Sequence, residues 1–309
     1  MPTSQLVVGA SGMLGSAITG ELRRRGAQAA RVVVPWADAR AAADALARAL
    51  PVGAEAVRIW WCAGVGVTTS TPELMRAERQ VLRSFADAVV GYAGRPGTRV
   101  ELFYASSAGG LYAGSASPPF DESTPPVPLS AYGESKLLAE AVIGSLAEAG
   151  VRVGIGRLAN LYGPGQDLSK PQGLISQLCV ARHSRRPLNI YVSLDTLRDY
   201  IFASDAAALC VDFMDAVALR DSGVTTKVLA SGRAVSIAEL LAEMRRIFKK
   251  GVPVNLIASA AAKQQARDLR LSSQVLTELD RRSLITLPAG IQKTDFAIGG
   301  RFRSGLLAR

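Results

Sequence analysis

Leu6-Val7-Val8-Gly9-Ala10-Ser11-Gly12-Met13-Leu14-Gly15 decides how the rest of the chain reads. Three apolar residues of strand character run into a glycine-rich turn, and an amphipathic stretch from about Met13 to Arg25 follows. Strand, tight turn and helix, in that order, suit the pyrophosphate of a dinucleotide. Glycine permits the turn, lets the backbone approach the phosphates and lets the helix lie close to the sheet. The spacing G-x-x-G-x-x-G is one residue longer than the commonest fingerprint. Three glycines alone could be turn punctuation; the flanking strand and helix are what favour a nucleotide.

The same alternation continues outward. Arg31–Val34, Val57–Ala63, Arg99–Ala105 and Val151–Leu158 read as strands, and Ala41–Leu50, Pro72–Tyr92 and Ala131–Ala149 as helices. Short strands alternating with helices predict βαβ units and a parallel sheet. Beyond Gly163 the pattern loosens. A helix near Leu174–Arg182, a strand near Leu188–Val192 and a helix over Ser204–Leu219 precede a last stretch of strand, helix (Ser236–Phe248), strand, loop and helix.

Composition limits the alternatives. Of 309 residues 49% are apolar and 20% charged, which excludes a disordered or low-complexity chain. No run approaches the roughly 18 to 20 apolar residues of a membrane span. Met1-Pro2-Thr3-Ser4-Gln5 lacks the basic start of a secretory signal. Cys62, Cys179 and Cys210 are too few and too scattered for a disulfide framework or a metal site, so a cytoplasmic setting is expected and no metal. The net charge of +10 is unevenly placed: residues 1–150 hold thirteen basic and thirteen acidic side chains, leaving the whole excess in residues 151–309.

After the second strand the chain reads Val34-Pro35-Trp36-Ala37-Asp38, with no acid at the strand tip to hold an adenosine ribose. Asp38 could reach back, or Arg31 or Arg40 could meet a 2′-phosphate, so NAD and NADP both stay open. Further on, Tyr132-Gly133-Glu134-Ser135-Lys136 sets a phenol and an ammonium four residues apart, on one helix face. An ammonium stabilises a nearby phenolate, which makes a tyrosine usable as a general acid or base. Such a pair also occurs on solvated helices; the glycine turn upstream is what gives it weight.

Taken together these strings resemble the extended short-chain dehydrogenase/reductase family of nucleotide-sugar epimerases and dehydratases. The resemblance rests on Gly9-x-x-Gly12-x-x-Gly15, Cys62-Ala63-Gly64, Ser106-Ser107-Ala108-Gly109-Gly110-Leu111-Tyr112, Pro119-Phe120-Asp121-Glu122, Tyr132-x-x-x-Lys136, Arg157-x-x-Asn160-x-Tyr162-Gly163-Pro164-Gly165 and Arg198-Asp199-Tyr200-Ile201-Phe202. It implies an α/β fold: a Rossmann-type doubly wound parallel sheet with a smaller, partly interleaved C-terminal α/β substrate cap. Residues 1–163 would form the dinucleotide domain, with 188–220 returning to it, and 164–309 mostly the cap. NAD, with NADP not excluded, would be held by Gly9, Ser11, Gly12, Met13, Leu14, Gly15, Cys62, Ala63, Gly64, Ala105, Ser106, Tyr132, Lys136 and Leu158. Tyr132 would exchange a proton with the sugar while hydride moves, and Lys136 would bind the nicotinamide ribose. Asn160 and Arg198 would contact the substrate diphosphate, although Arg198 and Asp199 could instead form a local salt bridge.

The departures from the family pattern carry information too. The usual catalytic Ser or Thr aligns with Ala108, so the role falls to Ser107, with a loop-capping role for Ser106 and Ser107 as the alternative. The Asp-Glu pair of sugar dehydratases is replaced by Ala108-Gly109-Gly110, which argues against dehydration. Glu78 stands where an Asn is usual, and Ala258–Gln265, with Lys263 its one charge, replaces an Arg-Pro-Gly-Asp segment; Arg267 or Arg270 could substitute. The function expected is an NAD(P)-dependent epimerase of a nucleoside-diphosphate sugar. A keto-sugar reductase or a catalytically silent cofactor sensor are the alternatives. A homodimer is expected, without nucleic-acid or membrane partners, and the basic second half points to a small anionic substrate. His183 reads as a solvated helix end, Trp60 and Trp61 as core, Cys62 as a small buried thiol that could back the adenine pocket, and Arg23-Arg24-Arg25 as a helix end favoured by its dipole.

Overall fold

The computed structural model describes residues 3–307 except 171 and 258–265. Its first half alternates β1 (Ser4–Val8), α1 (Met13–Arg24), β2 (Ala29–Val32), α2 (Ala39–Ala49), β3 (Ala56–Trp61), α3 (Pro72–Ala93), β4 (Arg99–Ser107), a single turn α4 (Ala108–Leu111), α5 (Ala131–Gly144) and β5 (Arg152–Leu158). The second half contributes β6 (Asn160–Tyr162), α6 (Leu174–Ser184), β7 (Leu188–Ile190), β8 (Leu197–Phe202), α7 (Ala203–Ala218), β9 (Gly223–Leu229), β10 (Ala234–Ser236), α8 (Ile237–Phe248), β11 (Val254–Leu256), β12 (Asp268–Leu269) and α9 (Leu287–Arg303).

Six strands form one parallel sheet in the order β2-β1-β3-β4-β5-β9. The chain reverses its direction of travel between β1 and β3, the switch point where such sheets open a crevice at their carboxyl ends. Both faces are covered. Leu46 of α2, Phe85 and Val89 of α3 and Ile143 of α5 pack on one side; Ile18 and Leu22 of α1 and Phe213 and Met214 of α7 pack on the other. All six residues of β3 are therefore buried, Trp60 facing the second layer and Trp61 the first. This is the doubly wound Rossmann-type sheet anticipated above.

β2 lies two residues earlier than its apolar run suggested. Its partner β1 ends at Val8 because Gly9 turns the chain at φ +83°, so Val33 and Val34 have no strand beside them. The return of the second half to the sheet also differs from the expected 188–220. It is made by α7, which lies within that span, and then by β9, which extends the sheet beyond β5, whereas β7 and β8 pair with β11 and with β6, β10 and β12 outside the main sheet.

The cap has its own small core, in which Ile175 and Leu178 of α6, Leu240 and Met244 of α8 and Ile291 and Ile298 of α9 meet Tyr162 and Phe202. Its strands are short: β6, β10 and β12 border β8, and β11 pairs with β7. The carboxyl ends of α6, α8 and α9 meet at one corner. There the Arg182 guanidinium lies 4.1 Å from the Phe248 ring centroid and His183 stacks on Phe302 at 5.5 Å. Arg185-Arg186 and Lys249-Lys250 lead into the paired strands β7 and β11 at the same corner. Much of the basic excess is thus gathered away from the crevice, where cations complement helix dipoles. His183 is less solvated than its basic surroundings suggested, packing against Phe302 and Asp295. Among the described residues no helix is long and apolar enough to cross a membrane, and no group of His, Cys, Asp and Glu could hold a metal ion.

Candidate active site

A cavity of about 810 Å³ opens at the carboxyl ends of β1, β3, β4 and β5, beneath the cap. Met13, Leu14, Cys62, Ala63, Gly64, Ala105, Ser106, Ser107, Tyr132, Lys136, Leu158, Asn160 and Arg198 all line it, so residues spread over 186 positions of sequence share one space. Gly9, Ser11, Gly12 and Gly15 do not line it; they form the turn at its edge.

The three turn glycines answer to different constraints. A Cβ on Gly9 would stand 2.7 Å from Ala63 Cα, and one on Gly15 would stand 2.2 Å from the Gly9 carbonyl oxygen. Both are required by the protein's own packing. A Cβ on Gly12 would meet nothing nearer than 3.4 Å, so the fold itself leaves that position free. Gly12 is also the N-cap of α1 and offers no side-chain acceptor to the first N–H groups of the helix. Open backbone donors beside an unfilled cradle fit a pyrophosphate.

Ser130 caps α5 by accepting from Gly133 N at 3.2 Å, which sets Tyr132 in the first turn and Lys136 one turn on. The Lys136 ammonium donates to Tyr104 Oη at 3.3 Å and Ala105 O at 3.1 Å, and stands 5.8 Å from the Tyr132 ring centroid. Burial opposes its charge, but Tyr104, Tyr132 and Glu78 more than offset this and hold the ammonium above the ordinary lysine range. Burial pushes the Tyr104 phenol up to about 12 despite Lys136, which leaves it protonated at neutral pH. The Tyr132 ring lies in a slot: a Cβ on Gly110 would approach its Cε1 to 3.0 Å, and one on Gly66 its Cδ2 to 3.3 Å.

Ser107 borders the cavity, and its Oγ accepts from Gly110 N at 3.2 Å, the capping contact weighed as an alternative for it. Ala108 is fully buried. Ser106 donates to Glu140 Oε1 at 2.5 Å. Glu140 is a residue the sequence reading missed, although it follows Tyr132 and Lys136 at the same four-residue interval. Arg157 donates to it through Nε at 3.1 Å and Nη2 at 2.8 Å and reaches Tyr112 Oη at 2.7 Å, so a buried network fixes the end of β4. Glu78 accepts from Val65 N at 2.8 Å and Gly66 N at 3.0 Å, anchoring the loop that walls the Tyr132 slot. From the cap, Lys170 donates to Val65 O at 3.3 Å; nothing in its sequence context marked it.

Burial holds the Arg198 guanidinium below its ordinary value, with Tyr200 and Asp268 pulling the other way, and its Nη1 donates to Leu197 O at 2.8 Å. The local salt bridge with Asp199 does not form. Asp199 gives its carboxylate to Ser231 N at 2.9 Å and Arg233 N at 3.1 Å, while its carbonyl accepts from Asn160 Nδ2 at 3.0 Å. Arg267 and Arg270, suggested as substitutes for a phosphate-binding arginine, are paired with Asp195 and Asp268 outside the cavity lining. The segment Ala258–Gln265, with Lys263, lies outside the described residues. Among the described residues the cations lining the cavity are Lys136, Lys170 and Arg198, against the carboxylate of Glu78; most of the described basic excess of the second half lies elsewhere.

A parallel doubly wound sheet with an open glycine turn, a Tyr–Lys pair and a capped crevice defines a dinucleotide-binding protein with room for a second ligand. The chain belongs to the NAD dependent epimerase/dehydratase family, whose pattern it matches over residues 5–227. It is 33% identical over 107 residues to the dTDP-4-dehydro-6-deoxyglucose reductase of Escherichia coli, covering 34% of this chain and 33% of that protein. It is 32% identical over 163 residues to the UDP-glucose 4-epimerase of Azospirillum brasilense, covering 48% and 46%. These matches span a third to a half of the curated relatives' length. The solved structure of MoeE5 in complex with UDP-glucuronic acid and NAD shares the fold with a TM-score of 0.78 at 23% identity, over 96% of this chain and 99% of that one.

Proposed function

We propose that the chain is an NAD(P)-dependent epimerase of a nucleoside-diphosphate sugar, with Tyr132 as its acid/base. The observation that carries this reading is the single cavity that joins Tyr132 and Lys136 to the edge of the glycine turn on one side and to Arg198 on the other. The dinucleotide, when bound, supplies a hydride acceptor and donor. Gly12 and the N-terminus of α1 hold its pyrophosphate, and the Lys136 ammonium holds the nicotinamide ribose. Tyr132 takes the proton of a sugar hydroxyl and returns it to the ketone, aided by Ser107. Arg198, a desolvated cation facing the cavity, and Asn160 hold the substrate diphosphate. The likeness to a UDP-glucose 4-epimerase supports epimerisation, and that to a dTDP-4-dehydro-6-deoxyglucose reductase favours a keto-sugar reductase as the second reading. A homodimer is part of the proposal; the exposed Leu74 and Leu138 on the adjoining helices α3 and α5 support it.

The test is conversion of UDP-, dTDP- and GDP-sugars by the purified protein. Epimer formation without added cofactor is the expected result, and stoichiometric consumption of NADPH would establish the reductase. Tyr132→Phe should lower turnover by about 10²- to 10⁴-fold while dinucleotide binding persists. Unchanged turnover in that variant would refute the assignment of Tyr132.

A further inference from the structure

The edge of the crevice where an adenosine ribose would lie is marked by an unusual pairing of side chains. Gly9 N donates to Val32 O at 3.3 Å, so the tip of β2 stands beside the glycine turn. Arg31 and Val33 are both exposed on either side of the buried Val32, so they share one face of the extended chain there. Arg31 shows where this face looks: its Nη2 donates to Ala10 O, within the turn, at 3.4 Å. That bond engages one of five guanidinium donors, and among the described residues no carboxylate pairs with the rest. Val33 is 80% exposed and has nothing to offer a ribose hydroxyl. The first carboxylate beyond β2, Asp38, is committed elsewhere: its Oδ1 accepts from Arg40 N at 2.9 Å and Ala41 N at 3.0 Å and caps α2.

A free 2′-hydroxyl is ordinarily held by a carboxylate acceptor, and a 2′-phosphate by an arginine. This edge presents the arginine and an apolar side chain in place of the acid. A phosphomonoester dianion would take the guanidinium's remaining donors in the forked geometry that suits both groups. We infer that the adenosine edge of the site selects the 2′-phosphorylated dinucleotide, NADP(H), over NAD(H), with Arg31 reading the phosphate. The inference rests on the dinucleotide reading above and narrows it.

Fluorescence titration of the full chain with NADPH and NADH tests it. In about 0.1 M salt NADPH should bind at least about tenfold more tightly. Arg31→Ala should bring the two within about threefold by weakening NADPH alone, and 2′,5′-ADP should displace NADPH less well from that variant than from the unaltered chain. Val33→Asp restores an acid at an exposed position and should shift the preference toward NADH. Equal or tighter binding of NADH by the unaltered chain, or a preference that survives Arg31→Ala, would overturn the inference and leave the dinucleotide reading standing. A folded chain that binds neither nucleotide would overturn both.

Discussion

At Gly15 an added methyl group would stand 2.2 Å from a carbonyl oxygen, whereas at Gly12 the nearest atom would be 3.4 Å away. One position is glycine for the fold and the other is free to be glycine for a ligand. Gly15→Ala should therefore cost about 1–3 kcal/mol of stability, seen as a lower midpoint in urea unfolding. Gly12→Ala should unfold close to the unaltered chain yet lose about tenfold or more in dinucleotide affinity, because the methyl group would occupy the phosphate's approach. Equal destabilisation at both positions would refute this division. The motif itself was plain in the sequence, but the separate reasons for its three glycines were not, since they depend on Ala63 and on the turn's own carbonyls.

At the scale of the element, α5 carries Tyr132, Lys136 and Glu140 at successive four-residue steps, two of them toward the cavity and the third into the Arg157–Tyr112 network. Glu140→Ala would leave the Arg157 guanidinium buried without its carboxylate, and a loss of about 3–5 kcal/mol is expected in chemical denaturation. A loss within experimental error would show that solvent reaches this pair. The helices and central strands of the sheet were legible because each buries a long apolar pattern. Several cap strands were not: β6, β10 and β12 are two or three residues long and owe their existence to the neighbours they pair with. β2 shows the limit of the apolar pattern too, since its span was set by where β1 stops rather than by its own valines. In the site, Tyr132 and Lys136 were legible from their spacing, while Lys170 and the two glycines walling Tyr132 depend on loops brought together across long separations.

For the whole molecule the arrangement of halves matters most. The first half builds the floor of the cavity, and α6, β7 and β8 of the cap line its roof. A ligand that spans both stabilises the assembled chain by mass action. With dinucleotide and nucleotide sugar each at about 100 times its dissociation constant, each should add about 2.7 kcal/mol, read as a rise in melting temperature. A rise with dinucleotide but none with any nucleotide sugar would count against the substrate class proposed.

The cap's separate core has one more consequence. Ile175, Leu178, Leu240 and Met244 pack among themselves and their cap neighbours, not into the two layers that flank the sheet. The cavity is therefore a seam between independently packed bodies, and a seam can be recut on one side. On the function proposed above, exchanging roof residues from α6 and β7 would change which second ligand is accepted while the Tyr132–Lys136 pair stays in place below, which makes the roof the natural place to begin redesign.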